Sequence, residues 1–172
     1  MKGVEKRKMK GILLDQNFAL WTLMHHSSDA MMDAREKEIG KYDLSAIELR
    51  VLLQIPIMEK TTDEKVTASE LSRWLFRKRS GISELLTRMG KRGLVRRVPQ
   101  PGNKKSSIIE ITEKGKKLRE KGFTEGMTFV NEAISSLSEE ERHQLWVIMG
   151  RLRKVTLKHL GITEKPPFPQ FL

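Results

Sequence analysis

The chain has 172 residues, enough for one domain of ordinary size or for a compact lobe plus helices used in association. Against 22 Asp and Glu stand 33 Lys and Arg, a formal charge of +11 that makes an anionic partner, nucleic acid or anionic membrane, the first to consider. The absence of cysteine excludes disulfides, thiolate metal sites and a thiol redox switch.

The opening "MKGVEKRKMKGILLDQN" is basic, but its apolar run spans only Ile12 to Leu14 before Asp15, too short for a secretory signal. No segment approaches the roughly 18 to 20 apolar residues of a transmembrane helix, so the expectation is a soluble cytoplasmic protein with no membrane partner. Over residues 12–38, Leu13, Leu14, Phe18, Trp21, Met24 and Met31 fall at helical spacing with no Pro or Gly between them, which predicts a long first helix ending near Gly40. Next, "SAIELRVLLQI" opens with Ser45 and Glu48, an S-x-x-E capping box that satisfies two free amide donors; Pro56 is expected to stop this helix. After the polar loop "EKTTDEK", the stretch "TASELSRWL" repeats the box with Thr67 and Glu70 and offers Leu71, Trp74 and Leu75 as the buried face of a short helix.

The next segment, "RKRSGISELLTRMGKRGL", separates two stripes. Ile82, Leu85, Leu86 and Met89 follow i, i+3, i+4, i+7, while Ser80, Ser83, Glu84, Thr87, Arg88 and Lys91 follow a series of their own on the opposite side. One face packs and the other is free. Gly93 suits the left-handed residue that ends a helix, and "RRVPQPGNKKSSIIEIT" then reads as two short β-branched runs joined by a Pro, Gly and Asn turn with a lysine pair at its tip. Thr112 is placed to cap a helix from 113 to about 133, weakened by Gly115, Gly122 and Gly126. Ser138 and Glu141 form a third capping box, opening a helix to about Leu160 whose Leu145, Ile148, Leu152 and Val155 follow the 3-4-3 spacing of helix-on-helix packing. An irregular tail, "GITEKPPFPQFL", closes the chain.

The charge is concentrated. Between Arg73 and Lys105 lie eleven basic residues and one acid, Glu84, so this window carries +10 of the total +11. Two helices joined by a tight turn, the second polar outside and basic at its flanks (Arg79, Lys91), match what a DNA major groove admits, and the hairpin that follows can carry Lys104 and Lys105 sideways to a minor groove or to phosphates.

At this point the residues resemble the MarR-type winged helix-turn-helix transcriptional regulators, most specifically from Leu44 to Gly115. The run from Gly93 to Arg97, followed by Ile111, Thr112 and Gly115, is similar to that family's G-L-V-x-R and L-T-x-x-G signatures in sequence and spacing. The resemblance implies a mainly α (α+β) fold. It divides into an N-terminal dimerisation helix (1–43), a winged helix-turn-helix DNA-binding lobe (44–112), and C-terminal dimerisation helices with a tail (113–172). It implies a homodimer on double-stranded DNA with a pseudo-palindromic operator, usually a repressor, and in many members release by a small-molecule effector bound between the dimer helices and the lobe. Carried over by position, Ser80, Ser83, Glu84 and Thr87 face base edges, Arg88 faces phosphate, and Arg97 with Asn103, Lys104 and Lys105 forms the wing contact. The tip departs from the family's usual Asp-Arg-Arg. Asn cannot form the ion pair by which the acid braces the wing, and Lys fits a narrow minor groove less well than Arg, so a looser wing is expected.

Several residues carry two readings. Glu84 can accept a hydrogen bond from cytosine N4, or pair with Arg88 four residues on, the ordinary outcome on a helix. Gly81 is either tolerated or lets backbone approach the sugar-phosphate chain. Met24, Met31, Met32 and Trp21 suit core or dimer packing better than a ligand cavity; Trp74 and Trp146 read as core. His25 and His26 are adjacent and diverge, His143 and His159 are far apart, and no metal or cofactor is expected. No P-loop, nucleophile elbow or H-E-x-x-H supports an enzyme. The rival is a winged helix used for protein interaction or RNA binding. Dimerisation has a second argument: about 100 residues of amphipathic helix lie outside a lobe of about 70, more apolar surface than that lobe can cover.

Overall fold

The computed structural model describes residues 15–61, 65–100 and 102–162, with the backbone alone at Thr61 and at residues 103–105. The basic opening stretch, the loop at 62–64 and the tail from 163 lie outside the described residues, as do the side chains of Asn103, Lys104 and Lys105. Seven helices and a two-stranded antiparallel wing are described: α1 (Gln16–Gly40), α2 (Ala46–Thr61), α3 (Ala68–Trp74), α4 (Arg79–Lys91), β1 (Val95–Gln100), β2 (Asn103–Ile111), α5 (Glu113–Thr124), α6 (Thr128–Ser135) and α7 (Glu139–His159). The fold is mainly helical.

The core sits between α2, α3, α4 and the base of the wing. Leu49, Leu52 and Ile55 of α2 meet Leu71 of α3, Ile82, Leu86 and Met89 of α4, and Leu94 and Ile109 of the wing, all essentially without solvent contact. Each such side chain stabilises the lobe by about 1.5–3 kcal/mol, which is what fixes α4's rotation about its own axis. Val95 pairs with Ile111 and Arg96 with Glu110 in the hairpin, a register shift falls between Pro99 and Gln100, and Gly102 turns the tip at φ 78. A feature absent from the sequence patterns anchors the hairpin: Ile109 donates its amide to the Val66 carbonyl at 2.8 Å, beside an isolated bridge between Thr67 and Ile108.

Two expected boundaries move. The second helix runs through Pro56 to Thr61. Proline removes one intrahelical hydrogen bond at a cost of about 3 kcal/mol, but Ile55 and Met58 on either side are buried, and their packing draws the last turn into the core. The helix predicted from 113 to about 133 is instead two, α5 and α6. Gly122 packs against Leu49, whose methyl would lie 3.3 Å from a Cβ there, and a Cβ on Gly126 would meet the Gly122 carbonyl at 2.5 Å. The chain turns at this close approach, and α6 is then capped from afar by Glu38, which accepts the Phe129 amide at 3.1 Å. Glu36 does the same for α2, accepting the Ala46 amide at 2.7 Å, so the end of α1 terminates two other helices.

The last helix forms as expected, with the reciprocal Ser138 and Glu141 capping box. Trp146, expected in the core, is instead 38% exposed, whereas Trp74 is buried. The 3-4-3 stripe of α7 faces outward in the single chain, as do Phe18, Trp21 and Leu23 of α1.

Candidate nucleic-acid interface

α3 and α4 are joined by a turn in which Phe76 adopts φ 52 and the Arg77 amide donates to the Ser72 carbonyl at 3.0 Å. With Ile82, Leu85, Leu86 and Met89 buried, helical geometry leaves the remaining positions outward: Arg79, Ser80, Glu84, Thr87, Arg88 and Lys91 are exposed and Ser83 is half-buried at the margin. These seven predicted residues therefore share one accessible face. The ordinary Glu84 and Arg88 pair does not form among the described residues, and both side chains stay open.

Arg97 lies elsewhere than at a wing tip. Its guanidinium folds back from β1 onto α4, donating to the Ser83 carbonyl at 3.2 Å and to the Thr87 hydroxyl at 3.4 Å. That hydroxyl in turn donates to the Ser83 carbonyl at 2.9 Å. The backbone of residues 103–105 starts β2 at the far end of the hairpin, so Arg97 and the tip are separate features of the wing.

The density of cations along the sequence overstates the charge this surface presents. Arg73 pairs with Glu70, Arg96 with Glu110, and Arg92 with both Glu48 and Asp43, and all four acids lie outside the basic window. Arg77, Lys78, Arg79, Arg88, Lys91 and Arg97 have no acidic partner among the described residues. They flank or sit on α4, which concentrates positive potential on its polar face.

Pattern reading misses Arg92. Following α4 directly, it donates through one terminal nitrogen to both Glu48 oxygens at 2.8 Å and through the other to Asp43 Oδ2 at 2.9 Å and to the Asp43 carbonyl. Burial alone would lower its pKa, but the hydrogen bonds and charges of Glu48 and Asp43 outweigh that and hold it above the ordinary arginine value. Forty-four residues separate Arg92 from Glu48, so no local periodicity connects them. The one legible clue is Glu48 itself, whose capping role puts a carboxylate at a fixed place.

A cleft of about 790 Å³ opens between α1, α2, α6 and α7, with Met24, Met31, Leu53, Phe129 and Met149 among its walls. Two arginines line it: Arg35, whose pKa burial lowers against the opposing pull of Glu38, and Arg50, lowered by burial and by the charge of Arg77. Among the described residues no group of His, Asp and Glu is arranged to hold a metal, and no helix is long and apolar enough to cross a membrane.

The two sequence signatures meet in space. Gly93, at φ 69, ends α4, and its carbonyl accepts from the Thr112 hydroxyl at 2.5 Å; that hydroxyl also caps α5 by accepting the Gly115 amide at 3.1 Å. A Cβ on Gly115 would stand 2.1 Å from the Leu94 carbonyl, so the glycine is what lets α5 start against the wing. Residues 42–106, which span this helix-turn-helix and most of the hairpin, match the MarR family model. The chain is 28% identical over 121 residues to the HTH-type transcriptional regulator PecS of Dickeya dadantii, covering 70% of this chain and 72% of that one. An uncharacterised HTH-type regulator of Bacillus cereus is 26% identical over 156 residues, covering 88% and 93%. Among solved structures, E. coli MarR carrying a substitution and complexed with operator DNA superposes with a TM-score of 0.71 at 20% identity, covering 81% of this chain and 97% of that one. The organohalide-sensing RdhR regulator bound to 2,4-dichlorophenol gives 0.78 at 20%, covering 92% of each. These likenesses establish the MarR-like winged helix-turn-helix fold.

Proposed function

We propose that this chain is a MarR-type transcriptional regulator, a homodimeric repressor that reads a pseudo-palindromic operator with α4 and is released by a small effector. The observation that carries the reading is the outer face of α4, where Ser80, Glu84 and Thr87 stand exposed among cations that no acid neutralises among the described residues. In this reading Ser80, Ser83, Glu84 and Thr87 meet base edges, Arg79, Arg88 and Lys91 meet phosphate, and Asn103, Lys104 and Lys105 reach the flanking duplex from the wing tip.

The dimer rests on the apolar faces of α1 and α7. Trp21 and Leu23 are about three-fifths exposed, at 59% and 62%, and Ile148, Met149 and Leu152 stand outward along α7. A second copy covering them explains faces that a lone soluble chain would not present. Residues 1–43 and 113–172 then serve dimerisation and 44–112 serves DNA. Two α4 helices related by a twofold axis read half-sites about 10 base pairs apart, in successive major grooves. The cleft beside α1 offers the effector a mostly apolar wall with two guanidinium groups. Its occupation by an effector is supported by analogy with RdhR, whose structure contains 2,4-dichlorophenol. Such a regulator works in the cytoplasm, where bacterial DNA lies.

The test is selection of duplexes from a random pool, followed by footprinting at several salt concentrations. An inverted repeat protected in two adjacent grooves, with binding that weakens steeply as salt rises, is the expected result. Equal affinity for duplex, single-stranded RNA and heparin would favour an RNA-binding or interaction module instead.

A further inference from the structure

We propose that Arg92 is a positioning residue that sets the orientation of α4, and through it the half-site spacing the protein accepts, by clamping α4's C-terminal end to the turn between α1 and α2. The proposal rests on the dimeric operator-binding reading, because spacing has meaning only for two coupled recognition helices. Three observations carry it.

First, Arg92 is the residue into which α4 ends, so its placement is the placement of that end of the helix. Its guanidinium forks, one nitrogen on the buried Glu48 and the other on Asp43, at 2.8 and 2.9 Å. A planar fork constrains direction as well as distance, which a point charge does not.

Second, the receiving end is itself fixed. Glu48 Oε2 accepts from the Ser45 amide at 3.0 Å and from its hydroxyl at 3.2 Å, closing the cap of α2. Asp43 sits at φ 55, a left-handed conformation that non-glycine residues adopt at some cost, and it presents both its carboxylate and its carbonyl to Arg92. Third, the Arg92 carbonyl accepts from Lys114 Nζ at 2.9 Å, so α5 joins the same junction. The turn between α1 and α2, the cap of α2, the end of α4 and the start of α5 thus converge on one residue, the first two on its guanidinium and the start of α5 on its carbonyl. Because α1 carries the proposed dimer face, this junction is a polar link from the end of that helix to the proposed recognition helix.

Arg92→Lys is the informative variant: it keeps a cation over the buried Glu48 but cannot serve Glu48 and Asp43 as a fork. The test uses duplexes selected by the parent protein, with the centre lengthened or shortened by one or two base pairs. The parent should lose about tenfold or more in affinity when one base pair is added, because each step turns the second half-site by about a tenth of a helical turn. Arg92→Lys should lose affinity at the selected spacing, keep the same base preference inside each half-site, and show a visibly flatter dependence on spacing. The cysteine-free sequence allows a second readout without DNA. A nitroxide on Arg79→Cys reports the distance between the two α4 helices, and its distribution should broaden when Arg92→Lys is added. An unchanged spacing profile with an equally narrow distribution would overturn the proposal alone. A parent that selects no duplex would overturn the regulator reading and this proposal with it.

Discussion

The guanidinium of Arg97 rests on the hydroxyl of Thr87, 3.4 Å away, joining the first strand of the wing to the middle of α4. The same group reaches the Ser83 carbonyl at 3.2 Å, so Arg97 acts within the protein as a brace for α4's outer face. Arg88 is exposed and without an acidic partner among the described residues, which suits the phosphate contact proposed for it. The two arginines should therefore differ in salt response. Arg88→Ala is expected to weaken all duplexes and to reduce the log–log salt slope by about 1. Arg97→Ala should weaken binding and alter base preference while changing the slope by much less. Equal slope losses in a titration series would reject the brace.

The outer face of α4 is legible in the sequence because it follows a 3.6-residue period: four buried residues of α4 fix which of its neighbours point outward. Contacts across long sequence separations are not. Arg92 counts as surface charge in a tally of the basic window, and only the fold shows Glu48 and Asp43 around it. Pro56 misleads for a related reason, since a local rule against proline in a helix knows nothing of Ile55 and Met58 packing on either side. The split between α5 and α6 depends on where Gly122 meets Leu49, again a tertiary fact. Trp146 illustrates the converse: its apolarity suggests core, but within one chain the residue stands partly in solvent.

For the dimer, Leu152→Asp is the direct probe. Leu152 is 41% exposed on the outward stripe of α7, so the single chain tolerates a carboxylate there. In a twofold interface each substitution appears twice, and desolvating two unpaired carboxylates is expected to cost several kcal/mol, on the order of 3 or more. Sedimentation should show a dimer for the parent at micromolar concentration and a monomer for Leu152→Asp with unchanged helicity. A parent that sediments as a monomer would end the homodimer reading.

Gly115→Ala tests the junction of the two signatures. The added methyl would stand 2.1 Å from the Leu94 carbonyl and 2.8 Å from Ile111 Cγ2, a backbone and a branched side chain that cannot swing aside. Relief requires α5 to withdraw from the wing, opening the bond from the Thr112 hydroxyl to the Gly93 carbonyl. The expected loss is about 3 kcal/mol, the upper part of the usual range for overpacking, read as a lowered midpoint in urea. A loss within experimental error would mean that the close approach does not exist in solution.

Gly81 supplies the opposite case. It lies in the first turn of α4 without a positive φ, and a methyl group on its Cα would find nothing within 4 Å, so the fold itself has no need of glycine there. Gly81→Ala should accordingly stabilise the protein by about 0.5–1 kcal/mol, since alanine loses less backbone entropy in a helix. The space left open faces the side on which the duplex is proposed to lie, where a methyl would push the sugar-phosphate chain away from the backbone. The expected signature is a raised melting temperature together with weakened duplex binding and an unaltered base preference. A variant that is more stable and binds as tightly as the parent would show that Gly81 is merely tolerated, and that the DNA backbone passes the start of α4 at a distance.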